Sequence, residues 1–216
     1  MEKLDTPPVI HWMIQARMSS QRFPGKSLAP FRGDPLISHV IQACVRAATT
    51  ASQIIVVTTN QPAERPLVAY CRELGIKCSC GSPENVFHRY REALRYYPCD
   101  WFFRVCGDSP LLDPQVFTHA QALIRDKVDV ISNVYPTRQN PPGQSVELIR
   151  TATFQAIDED TLINVDKEYV TTVFYRQPER FRIVTAPWKR VWPHGAYTVD
   201  TVEDLRRLSQ ERSLAS

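Results

Sequence analysis

Three fixed cations, Arg17, Arg22 and Lys26, stand close together in the run IQARMSSQRFPGK, with Ser19 and Ser20 between the first two. Guanidinium groups fork onto phosphate oxygens and an ammonium acts on them as a point charge, so this set suits a polyphosphate. The Gly-rich spacing of a Walker loop is absent, and so is a GxGxxG fingerprint. The plain alternative is a solvated basic loop after an edge strand. Two carboxylates stand out further along. Asp108 follows a glycine in RVCGDSPLLDP, and Asp200 falls in YTVDTVED. Carboxylates facing a triphosphate are hard oxygen ligands for Mg2+, which takes one or two of them and adds phosphate oxygens. Taken singly, Asp108 reads as a turn residue before Pro110 and Asp200 as a cap on the last helix.

These residues are useful only if the chain brings them to one place. Val9 to Ile14 reads as a buried strand that runs into the cationic loop, and Pro24-Gly25 bends that loop just before Lys26. A helix is expected from Asp34-Pro35 to about residue 48, on the apolar period Leu36, Ile37, Val40, Ile41, Cys44 and Val45. Strands are expected at 54–57, 76–80, 101–106 and 128–132. Helices are expected at about 63–74, from Ser82-Pro83 to about 97, and from Asp113-Pro114 to about 126. That alternation predicts an α/β domain with a mostly parallel central sheet and helices on both faces. Ligands of such sheets bind at the carboxyl ends of the strands, near a switch in strand order. The loops after residues 14, 58, 80 and 106 should therefore share one rim.

The Pro-rich stretch YPTRQNPPGQ breaks the pattern. A strand (145–149), helices at about 152–158 and 167–176, and a strand (181–185) are expected after it, as an insertion shaping an acceptor pocket or a dimer contact. A last strand at 197–199 should lead into a capping box, Thr201 to Asp204, with Asp in place of the usual Glu or Gln. The chain is read as one domain over 1–216, with a nucleotide-binding half (9–132), an acceptor and dimer region (133–196), and a closing strand and helix (197–210).

Composition narrows the classes. The 216 residues are 43% apolar and 23% charged, with a net charge of +3, which is too small to imply nucleic acid as the main partner. No apolar run approaches the length of a membrane span, and MEKLDTPP lacks the core of a signal peptide, so a cytoplasmic protein is expected. Six cysteines without a CxxC pair read as free thiols in a reducing compartment rather than as a zinc site.

The motifs IQARMSSQRFPGK, RVCGDSPLLDP and YTVDTVEDL, in this order, resemble the cytidylyltransferase family that activates sugar acids. That family includes the CMP-sialic acid and CMP-Kdo synthetases, and the resemblance is strongest to its shorter spore-coat-polysaccharide type. IIVVTTN and CGSPENVFHRY are similar to the same branch, so the resemblance spans roughly residues 9–210. It implies a single Rossmann-like nucleotidyltransferase domain, CTP as donor, Mg2+ as cofactor, a small acidic acceptor and a homodimer formed through 135–185. It also implies that Arg17 and Lys26 bind the triphosphate and serve catalysis with Asp108, and that Ser20 and Arg22 assist. Gln15, Ala16 and Cys106 complete the nucleotide-binding set, and Ser82 and Arg89 fall where the family contacts cytosine and ribose. Asp108 and Asp200 match the metal-binding aspartates. Arg138, Gln144, Ser145 and Glu147 fall in the acceptor region.

That region departs from the branch. Gly143 to Glu147 reads GQSVE where GLDVE is usual, so Ser145 replaces an acid; Tyr169 stands where His is frequent, and Ala196-Tyr197 where Arg-Trp is common. The departures are read as an unusual acceptor, and they motivate a phosphonate or phosphate monoester as the alternative to a sugar acid. A glycosyltransferase would need a D-x-D motif, for which only Asp158 to Asp160 could serve. A nucleotide-binding scaffold without turnover is the remaining reading. His88 could line the base pocket or face solvent, and His194 could border the acceptor or sit in a turn. Trp188, Lys189, Arg190 and Trp192 form an aromatic-basic patch.

Overall fold

A computed structural model describes residues 7–187, 190 and 195–211. The chain opens with β1 (Ile10–Gln15) and a small antiparallel hairpin of β2 (Pro30–Phe31) and β3 (Asp34–Pro35). There follow α1 (Leu36–Ala47), β4 (Ile54–Thr59), α2 (Arg65–Glu73), β5 (Lys77–Gly81), α3 (Val86–Tyr96) and β6 (Trp101–Cys106). The second part holds α4 (Gln115–Gln121), β7 (Val130–Ser132), β8 (Glu147–Arg150), α5 (Thr151–Gln155), α6 (Asn164–Glu168), α7 (Thr172–Arg176), β9 (Ile183–Thr185) and α8 (Val202–Gln210).

Seven strands form one sheet in the order β5-β4-β1-β6-β8-β7-β9. Only β8 runs antiparallel to its neighbours. From β1 the chain steps outward to β4 and β5, then returns to place β6 on the other side of β1. Strand order therefore reverses between β1 and β6, and their carboxyl ends frame the ligand crevice of this architecture.

Side-chain alternation explains why helices cover both faces. Trp12 and Ile14, Ile54 and Val56, and Trp101, Phe103 and Val105 pack on one side with α1, α2 and α4. Met13, Ile55, Val57 and Phe102 point the other way, into α3, α5 and α7. Strands buried on both faces must be continuously apolar, as IIVV and WFF are. A third cluster seats α8 on the β2–β3 hairpin through Phe31, Leu36, Tyr197, Val199 and Leu208. No helix among the described residues is long and apolar enough to cross a membrane.

Several expected boundaries move. The Ser82-Pro83 cap is replaced by Asn85, whose side chain accepts from the His88 amide at 2.9 Å, so α3 starts at Val86. The helix expected over 167–176 is two short helices, α6 and α7. The helix expected to run to about 126 stops at Gln121. Residues 197–199 form no strand: the Tyr197 amide donates to Pro142 O at 2.7 Å and the Val199 amide to Asp108 O at 2.8 Å. The capping box forms as expected, with Asp204 accepting from the Thr201 amide (3.0 Å) and donating its own amide to Thr201 Oγ1 (3.2 Å).

Candidate active site

The loop after β1 is folded back on itself. Gly25, at φ +77°, takes the left-handed conformation that glycine tolerates, and its amide donates to Met18 O at 2.7 Å. Ser27 Oγ donates to Arg17 O at 3.2 Å. From below, the buried carboxylate of Glu64 accepts from the Met18 amide (2.8 Å), Ser19 Oγ (3.3 Å) and Thr58 Oγ1 (2.9 Å). These bonds leave Arg17 exposed, with no hydrogen bond or ion pair from its guanidinium among the described residues. Glu64 was not singled out from sequence, because the loop residues it holds, Met18 and Ser19, lie 46 and 45 residues away.

The loop delivers Lys26 to the two aspartates. Lys26 Nζ lies 3.0 Å from Asp108 Oδ2 and 3.2 Å from Asp200 Oδ1, and donates to Val199 O at 2.8 Å. Arg22 adds a 2.9 Å contact to Asp200 Oδ1. Gly107 lets Asp108 reach this point, since a Cβ there would lie 2.8 Å from Gln15 O. Asp204 accepts from the Asp200 amide at 3.1 Å and so fixes the other carboxylate. Both carboxylates thus converge on one cation. No group of three or more metal-ligating His, Cys, Asp or Glu occurs among the described residues. Two hard carboxylates beside a polyphosphate loop fit a magnesium ion that shares its shell with phosphate oxygens, and do not form an all-protein cage.

A cavity of about 380 Å³ opens beneath the loop. Gln15, Ala16, Arg17, Ser20, Arg22 and Lys26 line it from β1 and its loop, and Cys106, Asp108 and Asp200 line it from across the sheet. The expected nucleotide residues are therefore brought together, with two exceptions. Arg89 is buried and donates through Nη1 to Ser82 O, and neither residue lines the cavity. Burial holds the Cys106 thiol up at about 11, so it is neutral near pH 7 and no nucleophile.

A second cavity of about 320 Å³ adjoins the first. Arg138, Ser145 and Glu147 line it, as expected, and Arg138 Nη1 donates to Ser145 Oγ at 2.9 Å. Gln144 does not: its side chain is buried, accepting from the Asp113 amide at 2.9 Å and donating to Leu111 O at 2.8 Å. It holds the loop and leaves the pocket to its neighbours. Gly143 sits at φ +92°, and a Cβ there would fall 2.5 Å from the Tyr197 carbonyl carbon, so glycine is required on both counts. Tyr175 donates to Glu147 Oε1 at 2.7 Å; burial, then the Glu147 charge, holds its phenol well above the usual tyrosine range.

Four residues line both cavities: Arg104, Cys106, Asp108 and Tyr169. Arg104 escaped the sequence reading, although an arginine inside the apolar run WFFRVC was a visible signal. His88 does not reach the site, since its Nδ1 lies 3.1 Å from Glu159. Glu159 also pairs with Arg91 at 3.0 Å and Asp158 caps a short 3-10 turn, so the 158–160 segment is structural and lines neither cavity. Arg190 pairs with Asp113, whereas Trp188, Lys189, Trp192 and His194 lie outside the described residues.

A mostly parallel sheet with a cationic loop at its switch point and paired carboxylates alongside defines an α/β nucleotidyltransferase. The sequence model of the cytidylyltransferase family matches residues 12–202, and the chain belongs to that family. The spore coat polysaccharide biosynthesis protein SpsF of Bacillus subtilis is 27% identical over 207 residues, covering 90% of this chain and 82% of that protein. A 3-deoxy-manno-octulosonate cytidylyltransferase of Geotalea daltonii is 30% identical over 128 residues, covering 58% of this chain and 49% of the relative. A cytidylyltransferase structure from Leptospira borgpetersenii superposes with a TM-score of 0.85 at 23% identity, over 93% of this chain and 84% of that one. CMP:2-keto-3-deoxy-manno-octonic acid synthetase complexed with CTP gives 0.68 at 20% identity, over 93% and 97%. At these identities the structural likenesses speak for the fold.

Proposed function

We propose that the protein transfers CMP from CTP to a small acidic acceptor, a sugar acid in the first instance, and releases pyrophosphate. The observation that carries this reading is that a polyphosphate-type cavity and a second cavity meet at Asp108, at the switch point of the sheet. Arg17, Arg22 and Lys26 hold the triphosphate, with Ser20 as a hydroxyl donor. The acceptor oxygen, placed by the second cavity, bonds to the α-phosphorus as the bond to the α–β bridging oxygen breaks. Pyrophosphate leaves with that electron pair and the acceptor's proton passes to solvent. Charge grows on the leaving group, and Lys26 and Arg17 lie on the cavity wall within reach to offset it. Asp108 and Asp200 would hold Mg2+, which when bound supplies Lewis-acid polarisation of the phosphate oxygens. Lys26 then turns from the carboxylates to the phosphates.

An acidic acceptor is supported by Arg138, which is exposed, donates to a neutral hydroxyl and has no carboxylate partner among the described residues. Ser145 in place of an acid leaves that charge unanswered, which also favours a second reading with a dianionic phosphonate or phosphate monoester. Relatives named as 3-deoxy-manno-octulosonate cytidylyltransferases favour the sugar acid. Magnesium-dependent pyrophosphate release from CTP decides between the two. Release with 2-keto-3-deoxy sugar acids supports the first reading; release with phosphonates alone moves the assignment to the second. No release with any acceptor would count against both.

A further inference from the structure

We infer that Arg104 is a catalytic residue, holding the nonbridging oxygens of the α-phosphoryl group at the junction of the two cavities. This rests on the nucleotidyltransferase reading and assigns one residue within it. The acceptor oxygen and the α-phosphorus must meet where the cavities meet. Of the four residues shared by both walls, Arg104 alone carries a fixed positive charge. Its position follows from strand alternation. Phe102 covers one face of β6 with the apolar core, and Arg104 and Cys106 continue that face beyond the core, toward the carboxyl end. Arg104 stands in register with Met13 and beside Gln15, at the last turns of the ladder before the phosphate loop.

Its partners hold the guanidinium without using it up. Nη2 donates to Gln15 Oε1 at 3.1 Å, and Nη1 donates to Cys106 Sγ. The ion pair to Glu147 Oε2 is 3.5 Å, longer than a charge-assisted hydrogen bond, while Tyr175 takes the other oxygen of Glu147 at 2.7 Å. Arg104 Nε is buried and has no hydrogen-bond partner among the described residues. Arg89 and Arg91 also leave Nε unbonded, but neither lines either cavity; Arg104 differs in standing on the wall of both, with neutral Gln15 and Cys106 and one long ion pair as its partners. An incoming phosphoryl anion would give the cavity-facing part of the guanidinium a full charge partner, and its growing charge in the transition state would strengthen the contact.

The test compares CMP, which carries the α-phosphate, with pyrophosphate, which does not, by calorimetry on the full chain. Arg104→Met is expected to weaken CMP and CTP by about tenfold or more and to leave pyrophosphate within about twofold. Arg104→Lys should recover part of the CMP affinity, since charge returns without the fork. The double variant Arg104→Met with Glu147→Gln removes the carboxylate left unpaired, and its unliganded melting curve checks the fold. Unchanged CMP affinity would overturn the assignment, and would place Arg104 with the acceptor's acid instead. Equal losses for CMP and pyrophosphate would also overturn it, as general damage to the pocket. Wild-type protein that binds neither CMP nor CTP would fail the nucleotide reading itself, and the assignment with it.

Discussion

Lys26 does two jobs that its contacts separate. Without nucleotide it neutralises Asp108 and Asp200, and with nucleotide its charge is proposed to pass to the triphosphate. Lys26→Met should therefore lower CTP affinity by roughly 10- to 100-fold. It should also depress the unliganded melting temperature, because Asp108 then loses its ion pair and Asp200 keeps only Arg22. Calorimetry and a melting curve check the two effects. A variant that binds CTP normally would remove Lys26 from the nucleotide site. Gly143 makes a sharper packing claim. With φ at +92° and the Tyr197 backbone 2.5 Å from any Cβ, Gly143→Ala should destabilise by roughly 1–3 kcal/mol. Urea unfolding that leaves stability unchanged would show that the 142–143 turn and the 197 segment are less tightly joined than the contact implies.

Among the elements, α8 matters less for its length than for its cap. Asp204 accepts from the amides of both Asp200 and Thr201. Burial pushes its carboxyl upward, but those hydrogen bonds hold it below the usual range. Asp166 behaves alike: burial opposes its charge, and Arg176, Thr172 and the Ile163 amide hold its pKa down. A carboxyl depressed in the folded state contributes stability above its unfolded value, about pH 4, and loses it as pH falls through the folded value. Unfolding free energy should begin to fall as pH drops through about 6.5, because burial lowers the pKa of His11 and the unfolded chain takes up that proton first. A further fall below about pH 4 follows the two carboxyls and should be smaller in Asp166→Asn. A curve level from pH 7 to about 3 would contradict both. Asp204→Ala should cost roughly 1–2 kcal/mol and also weaken the Asp200 end of the site. The cap was legible because Thr-x-x-Asp is a local pattern. So were β1, β4 and β6, whose runs are apolar on both faces. The 197–199 segment read as a strand but bonds to loops at 108 and 142, contacts that no local pattern encodes. Gln144 failed as an acceptor residue for the same reason, since Asp113 and Leu111, about 30 residues earlier, claim its amide.

At the scale of the whole molecule, the sheet order creates the site. Because β6 returns beside β1, residues 15–26 and 104–108 face one another, and the closing segment brings Asp200 to both. Most of the nucleotide cavity was legible, since it is built from strand ends whose place the alternation of elements determines. The acceptor cavity was less so, because its walls come from the irregular 133–176 region. That region also leaves Ile163 and Val165 exposed, and the homodimer the resemblance implies is proposed to form through it. Sedimentation equilibrium should then give twice 24.8 kDa, and a mass of 24.8 kDa at working concentration would contradict the pairing. The most direct test of the account is thermal unfolding with CTP, UTP, ATP and GTP, each with and without Mg2+. Ligand at about 100 times Kd adds about 2.7 kcal/mol, a rise of roughly 5–10 °C for a chain of this size. The account predicts that rise for CTP above the other three, larger with Mg2+ and without the Mg2+ increment in Asp108→Ala. No rise with any of the four triphosphates would contradict it.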